Sequence, residues 1–330
     1  MTHPIPSGTR DVLPDEMREL RAISERVRAV FNDAGYGEVY TPALEYDSEI
    51  ERADLAGARP AYRLFDEHGN VLVLRSDMTV PIARVVATRY AQSEPPLRFC
   101  YLAHAYRGVR PQRGQVREIL QAGIELIGSP APAGTAEALG LLCRVLDAAG
   151  LRDYRVGLGD ASLYGALLDA FAVPAEARER ILHELVTRDF VGLEREVAAA
   201  GIAGDEAAML VRVPQMRGGA DVLEASDGPV AEALAGMRAV RELLDPAASE
   251  RVIFDLGLVR DLGYYTGAVF EVYDPALGVP LGGGGRYDEL LGRFGRPLPA
   301  VGFALYLERV HIAQAEEERL TTAGAREEGS

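Results

Sequence analysis

Apolar residues recur at helical spacing at two places in the first half of the chain. Over residues 15–34 they stand three or four positions apart, and Gly35 follows the last of them. Such spacing indicates an amphipathic helix, and a glycine just beyond the last turn commonly ends one. The same pattern recurs over residues 139–149, before Gly150. Two core-facing helices are therefore predicted here.

Alternating and β-branched apolar residues between and after these helices predict strands. The predicted strands cover residues 37–46, interrupted by Pro42, and then 71–74, 97–106, 156–158, 252–256 and 264–273. The early strands follow one another through short polar segments, which favours antiparallel pairing. Strand-rich blocks on both sides of a helical block predict an α+β fold rather than alternating βαβ units.

The block between the strand-rich regions, residues 163–245, is rich in Ala, Glu, Arg and Leu at helical spacing. We interpret it as a helical insertion. The predicted organisation is a core formed by residues 1–160 and 250–312, an insertion at 161–249, and a flexible acidic tail at 313–330. The polar composition of the last segment is typical of a terminus that frays.

Charge excludes one class of function. The chain has 50 Asp and Glu against 35 Lys and Arg, a net charge of −15, and all of the latter are Arg. A protein that grips a nucleic-acid backbone needs a basic surface, so nucleic-acid binding is disfavoured. No apolar run approaches the length of a membrane span, and the N-terminus does not resemble a signal peptide. We expect a cytoplasmic protein, and the two distant cysteines fit a reducing compartment.

Common catalytic motifs are absent from the sequence. It contains no Walker A loop, GxSxG or HExxH, and none of its five His has metal-ligand spacing to another His or Cys, so we predict neither a metal nor a cofactor. The run Gly282 to Gly285 has two interpretations: it binds an anion through its N–H groups, or it lets backbone segments cross closely. The second is favoured because the run does not open a helix after a strand.

Three segments combine polar side chains with apolar strand context, namely LRSDMT at 74–79, residues 107–125 and residues 260–271. Gln121 and Glu125 are four positions apart and therefore share a face in either a helix or a strand. Converging carboxylates, an amide and Arg side chains suggest a pocket for a small zwitterion. Spacing alone favours the alternative, in which these residues are solvated charges at sheet edges and surface ion pairs.

In their order along the chain, these and other segments resemble the catalytic core of histidyl-tRNA synthetase. The segments are GTRDVLP at 8–14, GYGEVYTPALEY at 35–46, LRSDMT at 74–79, RPQRGQVREILQAGIELIG at 110–128, LVRDLGYYTGAVFEVY at 258–273, GGGGRYDELLGRFG at 282–295 and AVGFALYLERV at 300–310. The resemblance covers residues 5–312. It implies the class II aminoacyl-tRNA synthetase architecture, an antiparallel sheet flanked by helices, with dimerisation through the first motif and a helical insertion before the third.

Departures from the synthetase pattern fall on its nucleotide side. Beside Arg107, Val109 occupies the place of an acidic residue, Ile119 replaces an aromatic residue that would stack on adenine, and Tyr306 replaces a small glycine. The chain also ends 18 residues after position 312, where a synthetase continues into an anticodon-binding domain. These departures imply that ATP is not activated here and that no anticodon is read.

The amino-acid side of the synthetase pattern is kept. By this resemblance the histidine-binding residues are Asp77, Thr79, Arg107, Gln121, Glu125, Arg260, Tyr264 and Tyr265. The chemistry suits histidine, with carboxylates for the ammonium group, Arg for the carboxylate and tyrosine hydroxyls for the imidazole. No residue is predicted to be catalytic.

A synthetase-like core with these features is similar to the regulatory subunits of ATP phosphoribosyltransferase. That resemblance implies a non-catalytic partner of the short-form catalytic subunit, which performs the first step of histidine biosynthesis. It also implies L-histidine as feedback effector, and self-association as a dimer within a hetero-octamer, without nucleic-acid or membrane partners. Two alternatives remain: a truncated synthetase paralogue that still adenylates an amino acid, and a scaffold that has lost both ligands.

Overall fold

The computed structural model describes residues 4–53, 61–108, 116–224, 228–259 and 263–327, with side chains up to residue 322. The helices within these ranges are α1 (Pro14–Asp33), α2 (Asp47–Arg52), α3 (Thr79–Arg89), α4 (Ala133–Ala149), α5 (Ala161–Ala170), α6 (Ala175–Thr187), α7 (Phe190–Ala199), α8 (Gly204–Arg212), α9 (Ala231–Leu243), α10 (Pro246–Arg251), α11 (Leu290–Arg293) and α12 (Leu307–Glu327). The strands are β1 (Gly37–Glu38), β2 (Leu44–Tyr46), β3 (Arg63–Phe65), β4 (Val71–Leu74), β5 (Leu97–Tyr106), β6 (Glu118–Ile127), β7 (Arg155–Asp160), β8 (Arg217–Gly218), β9 (Val252–Asp255), β10 (Ala268–Asp274), β11 (Leu277–Arg286) and β12 (Ala300–Tyr306).

The main sheet of the described chain has nine strands in the order β1-β5-β6-β12-β11-β10-β7-β9-β8. Helices flank it, so the predicted α+β class is confirmed. Most neighbouring strands are antiparallel, but β1 pairs with β5, and β7 with β9, in parallel. Antiparallel pairing was therefore the wrong expectation for these two pairs. In both, a long intervening segment lets the chain return in the same direction.

The two helices predicted from helical spacing are α1 and α4. α1 buries Ile23, Val27 and Phe31 in the largest hydrophobic cluster, and α4 packs into the same cluster. Gly150 follows α4 with a φ of 98°, a left-handed conformation that glycine adopts without steric cost. Both helix ends therefore lie where the sequence predicts them.

Strand β6 separates this core from the opposite face of the sheet. Ala122, Ile124 and Leu126 are completely buried in the largest hydrophobic cluster. Gln121 and Glu125 alternate with them, and successive strand residues point to opposite faces. The two polar side chains therefore lie on the face that the hydrophobic cluster does not occupy.

The segment predicted as an insertion contains α5 to α10, whose apolar residues continue the hydrophobic cluster of the core. Leu167, Ile181, Leu210 and Leu234 are completely buried in that cluster. The segment also supplies β8, which pairs with β9 at one edge of the main sheet. Its helical character agrees with the sequence, and the division into core and insertion stays a prediction.

The end of the chain differs from the frayed tail expected over residues 313–330. α12 runs from Leu307 to Glu327, and it buries Ala313 and Glu317. The Glu317 carboxylate accepts hydrogen bonds from the backbone N–H groups of Arg152 and Asp153, at 2.9 Å each. These contacts anchor the helix, although the composition of the segment indicated a frayed end. In the described ranges, none of the helices is both long and apolar enough to cross a membrane.

A second sheet, β2-β4-β3, lies beside the main one. Arg75, directly after β4, joins the two sheets. Its guanidinium donates to the backbone carbonyl oxygens of His104 on β5, at 2.8 Å, and of Thr41 before β2, at 2.6 Å. This buried arginine orients the chain that leads from β4 into α3.

Candidate functional site

A pocket opens on the polar face of the main sheet, and we call it the inner pocket. Its lining residues are Asp77, Thr79, Tyr101, Arg107, Gln121, Glu125, Tyr264, Tyr265, Gly283, Tyr287, Gly302, Phe303, Ala304 and Tyr306. Seven of the eight residues expected to bind a ligand lie in this lining. The eighth, Arg260, lies outside the described residues.

Glu125 lies at the base of the inner pocket and is almost completely buried. One of its carboxylate oxygens accepts a hydrogen bond from the Thr79 hydroxyl at 2.8 Å, and the other accepts one from the Tyr287 hydroxyl. Burial raises the pKa of Glu125 to about 8, because the charged form is desolvated and Asp77 lies nearby. Burial in the inner pocket therefore keeps this carboxyl group largely protonated at neutral pH.

Asp77 lies between β4 and α3 and has two different oxygen environments. Its Oδ1 accepts hydrogen bonds from the first two N–H groups of α3, those of Thr79 at 3.0 Å and Val80 at 3.3 Å. Its Oδ2 is buried and has no hydrogen-bond partner in the described part of the chain. An unsatisfied buried carboxylate oxygen is costly, so this atom is available to a ligand donor.

Gln121 and Arg107 present two more unsatisfied polar atoms. Gln121 is buried, and its Oε1 has no hydrogen-bond partner among the described residues. Arg107 donates from Nη2 to the hydroxyl of Tyr306 at 2.9 Å, while its buried Nε has no partner within the same ranges. The lining thus offers both acceptors and a cationic donor to one small molecule.

The two adjacent tyrosines differ from the expected strand geometry. A strand over residues 264–273 would place Tyr264 and Tyr265 on opposite faces. In the structure β10 begins only at Ala268, and the two rings lie 4.9 Å apart between centroids and line the same pocket. The predicted strand therefore begins four residues too early, and the turn before β10 has no two-residue period.

Tyr101 and Tyr287 line the inner pocket but are not among the predicted ligand-binding residues. Tyr101 lies on β5 directly opposite Gly123, and Tyr287 packs edge-on against the ring of Tyr264, at 5.7 Å between centroids. A signal for Tyr287 existed, since it follows the glycine run in a segment already singled out. For Tyr101, only the pairing of β5 with β6 reveals its position.

The glycine run at 282–285 belongs to strand β11, between β10 and β12. Gly302 on β12 pairs with both Gly285 and Glu125, and a Cβ atom at Gly302 would overlap the carboxylate of Glu125. A Cβ atom at Gly282 or Gly284 would overlap a backbone oxygen of β12, so close packing rather than anion binding in a loop accounts for these glycines. Gly283 and Gly302 line the inner pocket.

The polar residues of the inner pocket are buried rather than solvated. Gln121 and Glu125 are buried at 2% and 1% exposure, so the alternative of solvated surface charges is wrong for them. Unsatisfied acceptors at Asp77 and Gln121 suit an ammonium group, and the free Nε of Arg107 suits a carboxylate. The inner pocket therefore has the chemistry to hold an amino acid zwitterion with a hydrogen-bonding side chain.

A second pocket, which we call the outer pocket, adjoins the inner one and has a volume of about 620 Å³. It is lined by Gly8, Thr9, Arg10, Val12, His104, Val116, Glu118, Ile119, Leu277, Val279, Tyr306, Glu308, Arg309 and Ile312. Two positions on the nucleotide side of the synthetase pattern, Ile119 and Tyr306, are among them. Its walls are more apolar than those of the inner pocket.

Comparison with known proteins identifies the family to which this chain belongs. The family model for histidyl-tRNA synthetase matches residues 8–310. The ATP phosphoribosyltransferase regulatory subunit of Moorella thermoacetica is 42% identical over 327 residues, which cover 97% of this chain and 84% of that protein. The chain belongs to this histidyl-tRNA synthetase-like family of regulatory subunits. The expected family is thereby confirmed.

Solved structures of relatives have the same fold as this family member. A protein from Bacillus halodurans, described as an ATP phosphoribosyltransferase regulatory subunit/histidyl-tRNA synthetase, is 35% identical with a TM-score of 0.87, covering 95% of this chain and 84% of that one. A histidine–tRNA ligase subunit from Alicyclobacillus acidocaldarius is 32% identical with a TM-score of 0.76, covering 97% and 99%. The predicted class II synthetase-like fold is therefore confirmed.

Proposed function

We propose that this protein is a non-catalytic regulatory subunit that activates the short-form ATP phosphoribosyltransferase in the first step of histidine biosynthesis and takes part in its inhibition by histidine. One observation carries the proposal: in a member of this family, unsatisfied atoms of Asp77, Gln121 and Arg107 surround one pocket that suits an amino acid. The protein acts in the cytoplasm, where that pathway operates.

L-Histidine is the ligand of the inner pocket. Its ammonium group binds Glu125, Asp77 and Gln121, with Thr79 holding the Glu125 carboxylate in place. Its carboxylate binds the guanidinium of Arg107, together with Arg260. The hydroxyls of Tyr264 and Tyr265 pair with the imidazole, and a site built of such groups rejects ligands that lack the complementary donors.

Regulation follows from a difference in affinity between two assemblies. Histidine shifts the equilibrium only if it binds the low-activity assembly more tightly than the active one. The inner pocket contributes through Glu125, because the carboxyl must lose its proton to hold an ammonium group at full strength. A change in the charge of Glu125 therefore accompanies histidine binding.

Reconstitution tests the proposal. The purified chain is mixed with a short-form ATP phosphoribosyltransferase, and turnover is followed with and without L-histidine. We expect turnover to rise on mixing and to fall when histidine is added. If neither rate changes at saturating concentrations of both subunits, the proposed function is wrong.

A second function is favoured by two retained cations. Arg107 and Arg309, which a synthetase would use to hold phosphates, both contact the ring of Tyr306, and the Alicyclobacillus relative is described as a ligase subunit. On this alternative the protein adenylates an amino acid. Histidine-dependent exchange of pyrophosphate into ATP distinguishes the two: we expect none, and robust exchange would establish the enzyme instead.

Self-association as a dimer, within a hetero-octamer with the catalytic subunit, completes the proposal. The three-stranded sheet supports it because one of its faces is apolar and exposed. Leu44, Tyr46 and Leu64 are 44%, 53% and 43% exposed, and they share this face with Leu72 and Leu74 by cross-strand pairing. Sheet faces of this composition are normally covered by another chain.

A further inference from the structure

Tyr306 separates the inner pocket from the outer pocket. It is the single residue that the two linings share within the described chain. It lies at the end of β12, opposite Gln121 on β6, and it is 7% exposed. The side chain is thus a buried wall between two spaces rather than a surface residue.

Two arginines hold the ring of Tyr306 in this position. The guanidinium of Arg107 lies 5.3 Å from the ring centroid and donates a hydrogen bond to the hydroxyl, and the guanidinium of Arg309 lies 4.8 Å from the centroid. Cations over an aromatic ring are attracted by its π electrons, more strongly when both are desolvated. Swinging the ring aside would break both contacts, so the wall is stable.

On the proposed function, Tyr306 lies next to the carboxylate end of the ligand. On the proposed function, Arg107 binds the carboxylate of histidine, and the same guanidinium touches Tyr306. Any group attached to that carboxylate would have to pass through the space that the Tyr306 side chain fills. The outer pocket beyond is large enough for such a group, so Tyr306, and not a lack of room, limits the ligand.

We propose that Tyr306 restricts the inner pocket to an amino acid with a free carboxylate and excludes molecules that carry a bulky substituent on it, such as acyl adenylates. The protein then senses free histidine and does not respond to activated histidine. The inference rests on the proposed histidine site, and it adds the residue that sets the selectivity.

Calorimetry with two ligands tests this role. The ligands are L-histidine and 5′-O-(N-L-histidylsulfamoyl)adenosine, a stable analogue of the adenylate. For the wild-type protein we expect the analogue to bind at least roughly tenfold more weakly than histidine, and for Tyr306→Gly we expect its affinity to rise by about the same factor. Equal binding of the two ligands to the wild-type protein would overturn the proposal.

Tyr306→Phe is the matched control, because it keeps the ring and removes only the hydroxyl that accepts from Arg107. We expect it to exclude the analogue as the wild type does. Tight analogue binding by this variant would contradict the proposal that the ring of Tyr306 blocks the path to the outer pocket. If Tyr306→Gly keeps histidine binding without any gain for the analogue, the proposal also fails. Wild-type protein that binds no histidine contradicts the proposed function instead, while the change in analogue binding between wild type and Tyr306→Gly still decides the role of Tyr306.

Discussion

Three tyrosines and one acidic side chain lie near Glu125 in the inner pocket. The hydroxyls of Tyr101, Tyr264 and Tyr287 face it, and burial raises the pKa of each well above its usual value, so they stay uncharged. Asp77 is the acidic neighbour that disfavours a second negative charge. An arriving ammonium group supplies the missing positive charge, so binding and ionisation of Glu125 are linked.

Replacing Glu125 by Gln tests this linkage. We expect Glu125→Gln to weaken L-histidine binding by roughly tenfold or more, since a hydrogen bond to a charged group contributes about 1.5–3 kcal/mol. At pH 7 the wild type should also release a proton on binding, and the variant should release less. Calorimetry in two buffers with different ionisation enthalpies measures both effects.

Glu118→Gln is the matched control for that experiment, because Glu118 is exposed on the same strand and lies outside the inner pocket. It should bind histidine as the wild type does. Unchanged histidine affinity in Glu125→Gln would contradict a role of Glu125 in binding the ammonium group.

The raised pKa of Glu125 also predicts how stability depends on pH. The folded protein holds this proton up to about pH 8, whereas the unfolded chain loses it near its ordinary pKa of 4.5. Between these values the folded state binds more protons, so the free energy of unfolding contributed by Glu125 falls as pH rises. In urea denaturation without ligand, the wild type should lose free energy of unfolding relative to Glu125→Gln as the pH rises from 5 to 8. Parallel pH profiles would contradict the assignment.

Helix α12 shows how one side chain gives a segment its place in the fold. Glu317 accepts from two N–H groups in the turn between α4 and β7, which otherwise have no strand or helix partner. Burial and the neighbouring Asp274 raise the pKa of Glu317, and the carboxyl still binds both N–H groups. The contact couples the end of the chain to the turn that leads into the main sheet.

Removing this contact should destabilise the fold measurably. We expect Glu317→Ala to lower the free energy of unfolding by about 1–3 kcal/mol, because two backbone donors in a partly buried contact lose their charged acceptor. The control is Glu316→Ala, which loses only an exposed pair with Arg319 and should cost less than about 0.5 kcal/mol. Urea denaturation compares them, and equal effects would show that α12 is held by other contacts.

At the scale of the whole molecule, the two sheets have different tasks. One face of the main sheet is buried under helices and the other bears the pockets, whereas the three-stranded sheet leaves an apolar face exposed. Arg75 ties the second sheet to the first. A partner chain on the exposed face would thus contact Leu72 and Leu74, which lie shortly before Asp77 and Thr79 of the inner pocket in the sequence.

A charge on that face should prevent self-association. We expect Leu64→Asp to shift the protein from dimer to monomer, because an aspartate buried in an apolar interface would be desolvated without a partner. Val191→Asp, at a 77% exposed position on α7, is the control and should leave the dimer intact. Sedimentation velocity distinguishes the species, and a dimeric Leu64→Asp protein would place the interface elsewhere.

Local patterns along the chain predicted several of the regular elements. Helical spacing predicted α1 and α4, alternation predicted β5 over its full length, and the spacing of four between Gln121 and Glu125 placed both on one face. Such features depend on neighbours in the chain, because side-chain direction repeats every 3.6 residues in a helix and every two in a strand. The resemblance to a known family added seven residues that indeed meet in one pocket.

Contacts between distant segments decided the rest. The parallel pairing of β1 with β5, the burial of Glu317, and the joint position of Tyr264 and Tyr265 depend on which elements meet, and local periodicity carries no information about that. The same holds for Tyr306. Its side chain becomes a wall only because β12 pairs with β6 and Arg107 lies across from it. Pairing across long loops is settled by packing of the complete chain, which fixes both the raised pKa of the buried carboxyl and the boundary between the two pockets.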